Sequence, residues 1–357
     1  MSVNGRHLGR RRPRGTARRD RGGVAIIVAF LLGSGVLLGM AALVIDVGNL
    51  YAERRQLQGG ADAAAIKVAE ICATRPAACS SSAQNEANHY ARANARDGAA
   101  AADVCGSESY FPDDCPKLPE QVDCVGSPPA GGTYVQVQTS TLEQDGSTAL
   151  PPVFAQAVLG GFKGAQVAAC ARAAWGPPAR ANGLAMAISI CDWERGKGFP
   201  DPPEELFIPQ YDEKAAGACG QAGTSSNNAG GFRWLAGPDE SCRAMVVVEP
   251  GYQVAPGNSG TPNGCGDALT GALKSGRPVL VPVFDAVSGK GGNADYTIHG
   301  FAAFVVTGWR LPGSQTRPAC DDGSSSCVYG YFTQAVVPGG GALGGPDLGA
   351  QIVSLVG

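Results

Sequence analysis

Between Val24 and Ile45 the chain carries no charged residue: "VAIIVAFLLGSGVLLGMAALVI". Wound as a helix, those 22 positions cover about 33 Å, close to the hydrocarbon thickness of a bilayer. The two flanks are unlike. Residues 1–22 hold eight Arg, one Asp and no Lys, a net of +7; with the whole chain at −3, the remainder carries about −10. The positive-inside rule then places the Arg-rich head in the cytoplasm and everything past the span outside. "GMA" at 39–41 imitates a signal-peptide cleavage site, but apolar residues continue to Ile45, so a retained anchor is expected. A twin-arginine signal would want an apolar residue after Arg18-Arg19, where Asp20 stands. An acidic body also argues against nucleic-acid binding by the large part of the chain.

All twelve cysteines lie beyond the span, at 72, 79, 105, 115, 124, 170, 191, 219, 242, 265, 320 and 327. An even count on one side only fits disulfides formed outside the cytosol. Zinc is the weaker reading, with no C-x-x-C and only three His, at 7, 89 and 299. Two local pairs stand out. Cys320 and Cys327 enclose "DDGSSS", a turn able to bring their Cα atoms within bridging distance, and Cys72 and Cys79 bracket a short connection.

Past Asp46, Leu50, Leu57, Ala61, Ala64 and Val68 fall on one face of a 3.6-residue period, with Glu53, Arg54 and Asp62 off it. The membrane helix is therefore expected to continue outward as a stalk to about Ala69. Gly59-Gly60 marks a bend or a place of close backbone approach. The face formed by Leu50, Leu57, Ala61 and Ala64 suits either a neighbouring helix of a partner or the chain's own outer domain. Asp46 itself could pair with a partner helix or reach water.

"DRGGVAIIVAFLL…AALVIDVGNLYAERRQLQGGADAAAI" resembles the N-terminal segment of TadG-like (TadE/G-like) proteins of the Tad (Flp) pilus-assembly system. The features that carry the resemblance are Arg21-Gly22, the apolar helix, Asp46-Val47-Gly48, Tyr51, Glu53-Arg54, Leu57-Gln58 and Ala61 to Ala65. They cover roughly residues 20–66. The chain departs from the pattern at Gly59-Gly60, and Gly22 is followed by "GVAII" without a pilin-type Glu, which favours a retained anchor over prepilin processing. The resemblance implies a membrane-anchored part of a pilus or surface assembly, with other Tad proteins as partners.

A second helix is expected over "SSAQNEANHYARANARDG", from Ser80–Ser82 to Gly98. "TYVQVQTST" alternates, with Val135, Val137 and Thr139 on one side and Gln136, Gln138 and Ser140 on the other. "PPVFAQAVLG" reads as a short helix, and "AQVAACARAAW" alternates again. This strand–helix–strand run is similar to the pilin-like part of Tad minor proteins. From Gly183 on, strands are expected in "LAMAISICDW", "RAMVVVEP", "RPVLVPVFD", "YTIHGFAAFVVTGWRL" and "CVYGYFTQAVV", with a short helix in "NGCGDALTGAL". The stretch from "RPVLVPVFD" to "GWRL" resembles a segment of TadG-related actinobacterial proteins and implies no chemistry. The expected fold class is α+β: a transmembrane helix, a stalk helix, then a disulfide-rich, mainly β ectodomain. The boundaries read as a basic cytoplasmic tail 1–21, a membrane helix 22–45, a helical stalk 46–98 and a Cys-rich domain 99–357.

No motif assembles a reaction. "PGNSG" at 256–260 has the look of a serine-protease loop, yet Ser259 lacks a base, since His7 is cytoplasmic, His89 is on the stalk and His299 follows in the wrong order. "DGSSS" at 322–326 matches the D-x-S-x-S pattern of an adhesion-type metal site but sits between two Cys near the end, as a closed turn would. "GKGGNADY" at 289–296 lacks the spacing and terminal Lys-Ser/Thr of a phosphate loop. Catalytic, cofactor and metal residues are accordingly assigned to none, and no small-molecule substrate is identified. The expectation is a single-pass plasma-membrane assembly component, with an adhesin or ligand-binding module on the same anchor as the alternative.

Overall fold

The computed structural model describes residues 21–33, 35–107, 109–112, 115, 124, 133–155, 161, 163–210, 230–249, 253–254, 260–288, 295–337 and 341–356. The basic tail 1–20, Ser259, Cys219 and most of the expected helix after Phe154 lie outside them. The chain divides into two compact units, Met1–Ala52 with Pro151–Ala165, and Glu53–Leu150 with Gln166–Gly357. That division falls within the stretch 46–98 expected as a helical stalk.

The first unit holds helix α1 (Arg21–Gly33) and the beginning of α2 (Val36–Thr74). The uncharged span is thus two helical pieces and not the single helix expected over 22–45. Gly35 sits at φ +74° and its N–H donates to Leu32 O at 3.2 Å. A left-handed glycine closing the last turn is a common way for a helix to stop. Among the described residues no helix is long and apolar enough to cross a membrane.

In the second unit α2 runs on without a break to Thr74, past the expected end near Ala69. A 3-10 turn (Pro76–Ala78) leads to α3 (Cys79–Asn94), and the Cys72–Cys79 disulfide closes that turn with Cα atoms 4.4 Å apart. α3 begins at Cys79, without a side-chain cap from Ser80–Ser82. Its buried residues Cys79, Ala83, Ala87 and Ala91 recur every four positions and form one face.

Against these helices lies a sheet begun by β1 (Ala100–Gly106), β2 (Thr133–Thr141) and β3 (Ala168–Gly176). All three pair antiparallel, with Val104 opposite Val137 and Val137 opposite Ala171. Val135, Val137, Ala171 and Ala173 pack with Leu57, Ala61, Ala64, Val68, Ala83, Ala87 and Ala91 in one core. Polar groups on that side are tied in. Thr139 Oγ1 donates to Leu57 O at 2.9 Å, Gln58 Nε2 to Cys170 O at 3.0 Å, and Gln84 Nε2 to Ala102 O at 2.6 Å. Such bonds contribute about 1 kcal/mol each, and leaving one buried partner unmet costs more.

The remaining strands are β4 (Pro178–Leu184), β5 (Met186–Ser189), β6 (Leu206–Pro209), β7 (Phe232–Trp234), β8 (Arg243–Val247) and β9 (Gln253–Val254). They continue through β10 (Val279–Ser288), β11 (Asp295–Leu311), β12 (Ser314–Gln315), β13 (Cys327–Thr333) and β14 (Ala335–Val336). The last are β15 (Gly341–Leu343), β16 (Asp347–Leu348) and β17 (Ala350–Leu355). The main sheet runs β6-β13-β11-β10-β5-β7, with the 17-residue β11 near its middle. β15-β4-β8 form a smaller sheet, while β17 returns to pair with β3, so the first sheet reads β1-β2-β3-β17-β14. Phe284, Phe301, Phe304, Trp234 and Trp309 fill the larger core.

The expected strand "LAMAISICDW" splits. β5 stops at Ser189, whose side chain accepts from Cys191 N–H and starts a helix over Ile190–Gly196. Asp192 in its first turn is buried, accepts from Gly231 N–H at 2.5 Å and pairs with Arg195. Burial still pushes its carboxyl above the ordinary range, against the pull of Arg195 and Gly231. Further disulfides join Cys105–Cys115, Cys124–Cys170, Cys242–Cys265 and Cys320–Cys327, and Cys191 is bonded too.

Candidate interaction surface

Two surfaces are candidates, one on α1 and the beginning of α2, the other farther along α2. The first is the apolar side chains of the first unit. Val24, Ile26, Ile27, Val28, Phe30 and Leu32 on α1 are exposed, as are Met40, Leu43, Val44, Ile45 and Val47 on α2. A soluble protein seldom leaves so many large apolar residues uncovered in one place. Scattered single residues would need no explanation; a run of this length does.

Inside that run sits Asp46, which is buried. Its Oδ1 accepts from the backbone N–H groups of Val153 at 2.8 Å and Phe154 at 3.2 Å. Its Oδ2 accepts from Phe154 at 3.1 Å and Ala155 at 2.6 Å. The chain's own main chain therefore supplies partners for this carboxylate. Sequence reading singled out Asp46 but had no means of finding residues 153–155, more than a hundred positions on.

The second surface is the face of Leu50, Leu57, Ala61 and Ala64. Leu50 is half-buried, while Leu57, Ala61 and Ala64 are fully covered by α3 and the first sheet. Of the two occupants expected for the face, these three residues meet the chain's own domain. Gly59-Gly60 does not interrupt α2, which runs on through both glycines. A Cβ on Gly60 would stand 3.1 Å from Ala91 Cα and 3.4 Å from Ala91 O, so the glycine allows α3 to approach.

Of the other singled-out motifs, "PGNSG" and "GKGGNADY" lie mostly outside the described residues. Within Cys320–Cys327, Ser324 N–H donates to Asp322 Oδ1 at 2.8 Å, Ser324 Oγ donates to Ser326 O at 3.3 Å, and Ser326 is buried. The Asp322 and Ser324 side chains thus bond within their own turn. His299 on β11 pairs with Asp285 on β10 at 3.2 Å. Among the described residues, no group of three or more His, Cys, Asp or Glu is placed to hold a metal ion.

Near the head of α2's buried half, Glu53 has its carboxyl pushed up by burial first, then by Asp97 and Glu143. Glu143 is shifted the same way, mainly by burial and then by Asp97 and Asp145.

No curated protein and no solved structure matches the chain. Residues 22–70, which carry α1 and all but the last turn of α2, match the family model Tad, described as "Putative Flp pilus-assembly TadE/G-like", and this N-terminal segment is TadE/G-like.

Proposed function

We propose that the chain is a membrane-anchored component of a Tad (Flp) pilus-assembly or related cell-surface system, acting through protein contacts. The observation that carries this reading is the coincidence of two features on the same residues. The TadE/G-like match begins at residue 22, and the exposed apolar side chains run from Val24 to Val47. In lipid those side chains cost nothing to expose, whereas in water each uncovered Leu, Ile or Phe forgoes roughly 1.5–3 kcal/mol. The two helical pieces of the uncharged span together form the anchor, with Gly35 between them; non-ideal helical geometry at such depth is tolerated where the freed backbone groups find partners.

In this reading the Arg-rich head stays in the cytoplasm and the disulfide-bonded unit lies outside, where its cysteines oxidise. The partners are other Tad proteins. With Leu57, Ala61 and Ala64 engaged inside the chain, contacts to partners fall on other parts of the surface.

The test is deletion of the coding sequence in its host with complementation, scored for surface pili. Fractionation and protease treatment of spheroplasts go with it. Loss of pili, recovery of the protein in membranes, and digestion down to a small tail-plus-helix fragment are expected. Normal piliation in the deletion strain, or a freely soluble protein starting near Ala42, would overturn the reading.

A further inference from the structure

Three consecutive N–H groups, on Val153, Phe154 and Ala155, point at one buried carboxylate. A helix start presents such orphan donors, and a nearby side chain normally caps them within a few residues. Here the acceptor is Asp46, 107 residues away from Val153 along the chain. Pro151 and Pro152 come just before and bring no N–H at all. The main chain of residues 151–155 therefore leaves no N–H donor in need of water.

Their side chains tell the opposite story. Val153 is 54% exposed and Phe154 43%, beside the Asp46 that holds them. Leu43, Val44 and Val47, within one turn of Asp46 on α2, are exposed as well. From Gly146 to Phe162 the sequence carries no charge. A segment with satisfied donors, apolar side chains turned outward and no charge matches what the boundary of a bilayer requires.

We propose that residues 151–155, held by Asp46, make a second contact with the membrane, in which Val153 and Phe154 enter the lipid beside the outer end of the anchor. This rests on the reading that the span 24–45 lies in lipid. Lipid is the occupant because Asp46, which holds Val153 and Phe154, lies between the exposed Val44, Ile45 and Val47 of α2, at the end of the uncharged span. Asp46 has the role of a tie: it satisfies the backbone where water is scarce, and its own charge is spread over three donors.

The experiment uses the full chain reconstituted into phosphatidylcholine–phosphatidylglycerol vesicles, with and without acyl-chain-brominated lipid. Tryptophan is introduced by Phe154→Trp, by Val44→Trp in the anchor, and by Met245→Trp on the exposed edge strand β8. The four native Trp, all in the second unit, give a constant background. The emission added by Phe154→Trp and by Val44→Trp is expected to fall by about half or more with brominated lipid, as for side chains at acyl depth. That added by Met245→Trp should not change. Combining Asp46→Asn with Phe154→Trp should return most of the lost emission. Quenching of Val44→Trp without quenching of Phe154→Trp overturns this proposal and leaves the anchor intact. Absence of quenching at both overturns the anchor reading, and this one with it. Full quenching at Phe154→Trp in the Asp46→Asn background overturns the tie.

Discussion

Along α2, Met40, Leu43, Val44, Ile45 and Val47 leave 40–71% of their surface exposed, whereas Leu57, Ala61, Ala64, Ala65 and Val68 leave 1% or less. The outward residues are all large, whereas alanine predominates among the buried ones beside Leu57 and Val68. Size follows the kind of neighbour. The second half meets α3 and a sheet at fixed distances, so its face is built from alanine and glycine. The side chains of Met40, Leu43, Val44, Ile45 and Val47 in the first half stand open, and bulk there carries no penalty.

The largest test of that contrast is overpacking. Ala61→Leu with Ala64→Leu should destabilise the disulfide-bonded unit by about 3 kcal/mol or more, since each extra side chain enters a filled core. Thermal unfolding and protease resistance in detergent would report it. Val44→Ala or Leu43→Ala should stay within about 0.5 kcal/mol of the parent. Equal effects in the two halves would show that the boundary near residue 52 has no energetic meaning.

Next comes the staple at the end of the buried half. Removing Cys72–Cys79 by paired Ser substitution should cost about 2.5 kcal/mol by the loop-closure relation. The loss should appear as a lower melting temperature of the second unit. An unchanged melt would mean that packing of α3 alone holds the turn.

Two glycines on the same helix sharpen the comparison further. Gly60→Ala places a methyl against Ala91 and should lose about 1 kcal/mol, because backbone cannot easily give way. Gly48 has nothing within 4 Å of its Cβ position. Gly48→Ala should be neutral or gain up to about 0.8 kcal/mol of helix propensity. Opposite signs in circular-dichroism melts are the expected outcome.

The smallest effect is electrostatic. Glu53 has an ordinary carboxyl value of 4.5 when unfolded and a raised one when folded, chiefly through burial. Its contribution therefore favours the fold below the unfolded value and is lost as pH rises through the folded one. Glu53→Gln, neutral throughout, should raise the melting temperature more at pH 7 than at pH 4. An equal gain at both would assign the effect to something other than ionisation.

Much of this was legible from residue spacing. The alternation of Val135, Val137 and Thr139 marks β2 to its ends, and the period of Leu57, Ala61, Ala64 and Val68 marks the buried face of α2. "DDGSSS" and the short connection after Cys72 indicate where local disulfides close. Less legible was "ICDW", where apolar residues continue but Ser189 turns a strand into a helix. A short apolar run has no period of its own, so one capping side chain decides it.

The sequence by itself determined that a charge-free stretch follows a basic head, that the cysteines share one side, and that α2 has an apolar face. Periodicity shows that a face is covered, because only burial rewards it. It does not show by what, since an alanine face fits a partner's helix and the chain's own α3 equally well. Tertiary structure alone decided that Leu57, Ala61 and Ala64 pack at home, that Gly60 serves close approach to α3, and that Asp46 closes on residues 153–155. Each of those outcomes depends on a distance between residues far apart in the chain, and no local pattern encodes such a distance.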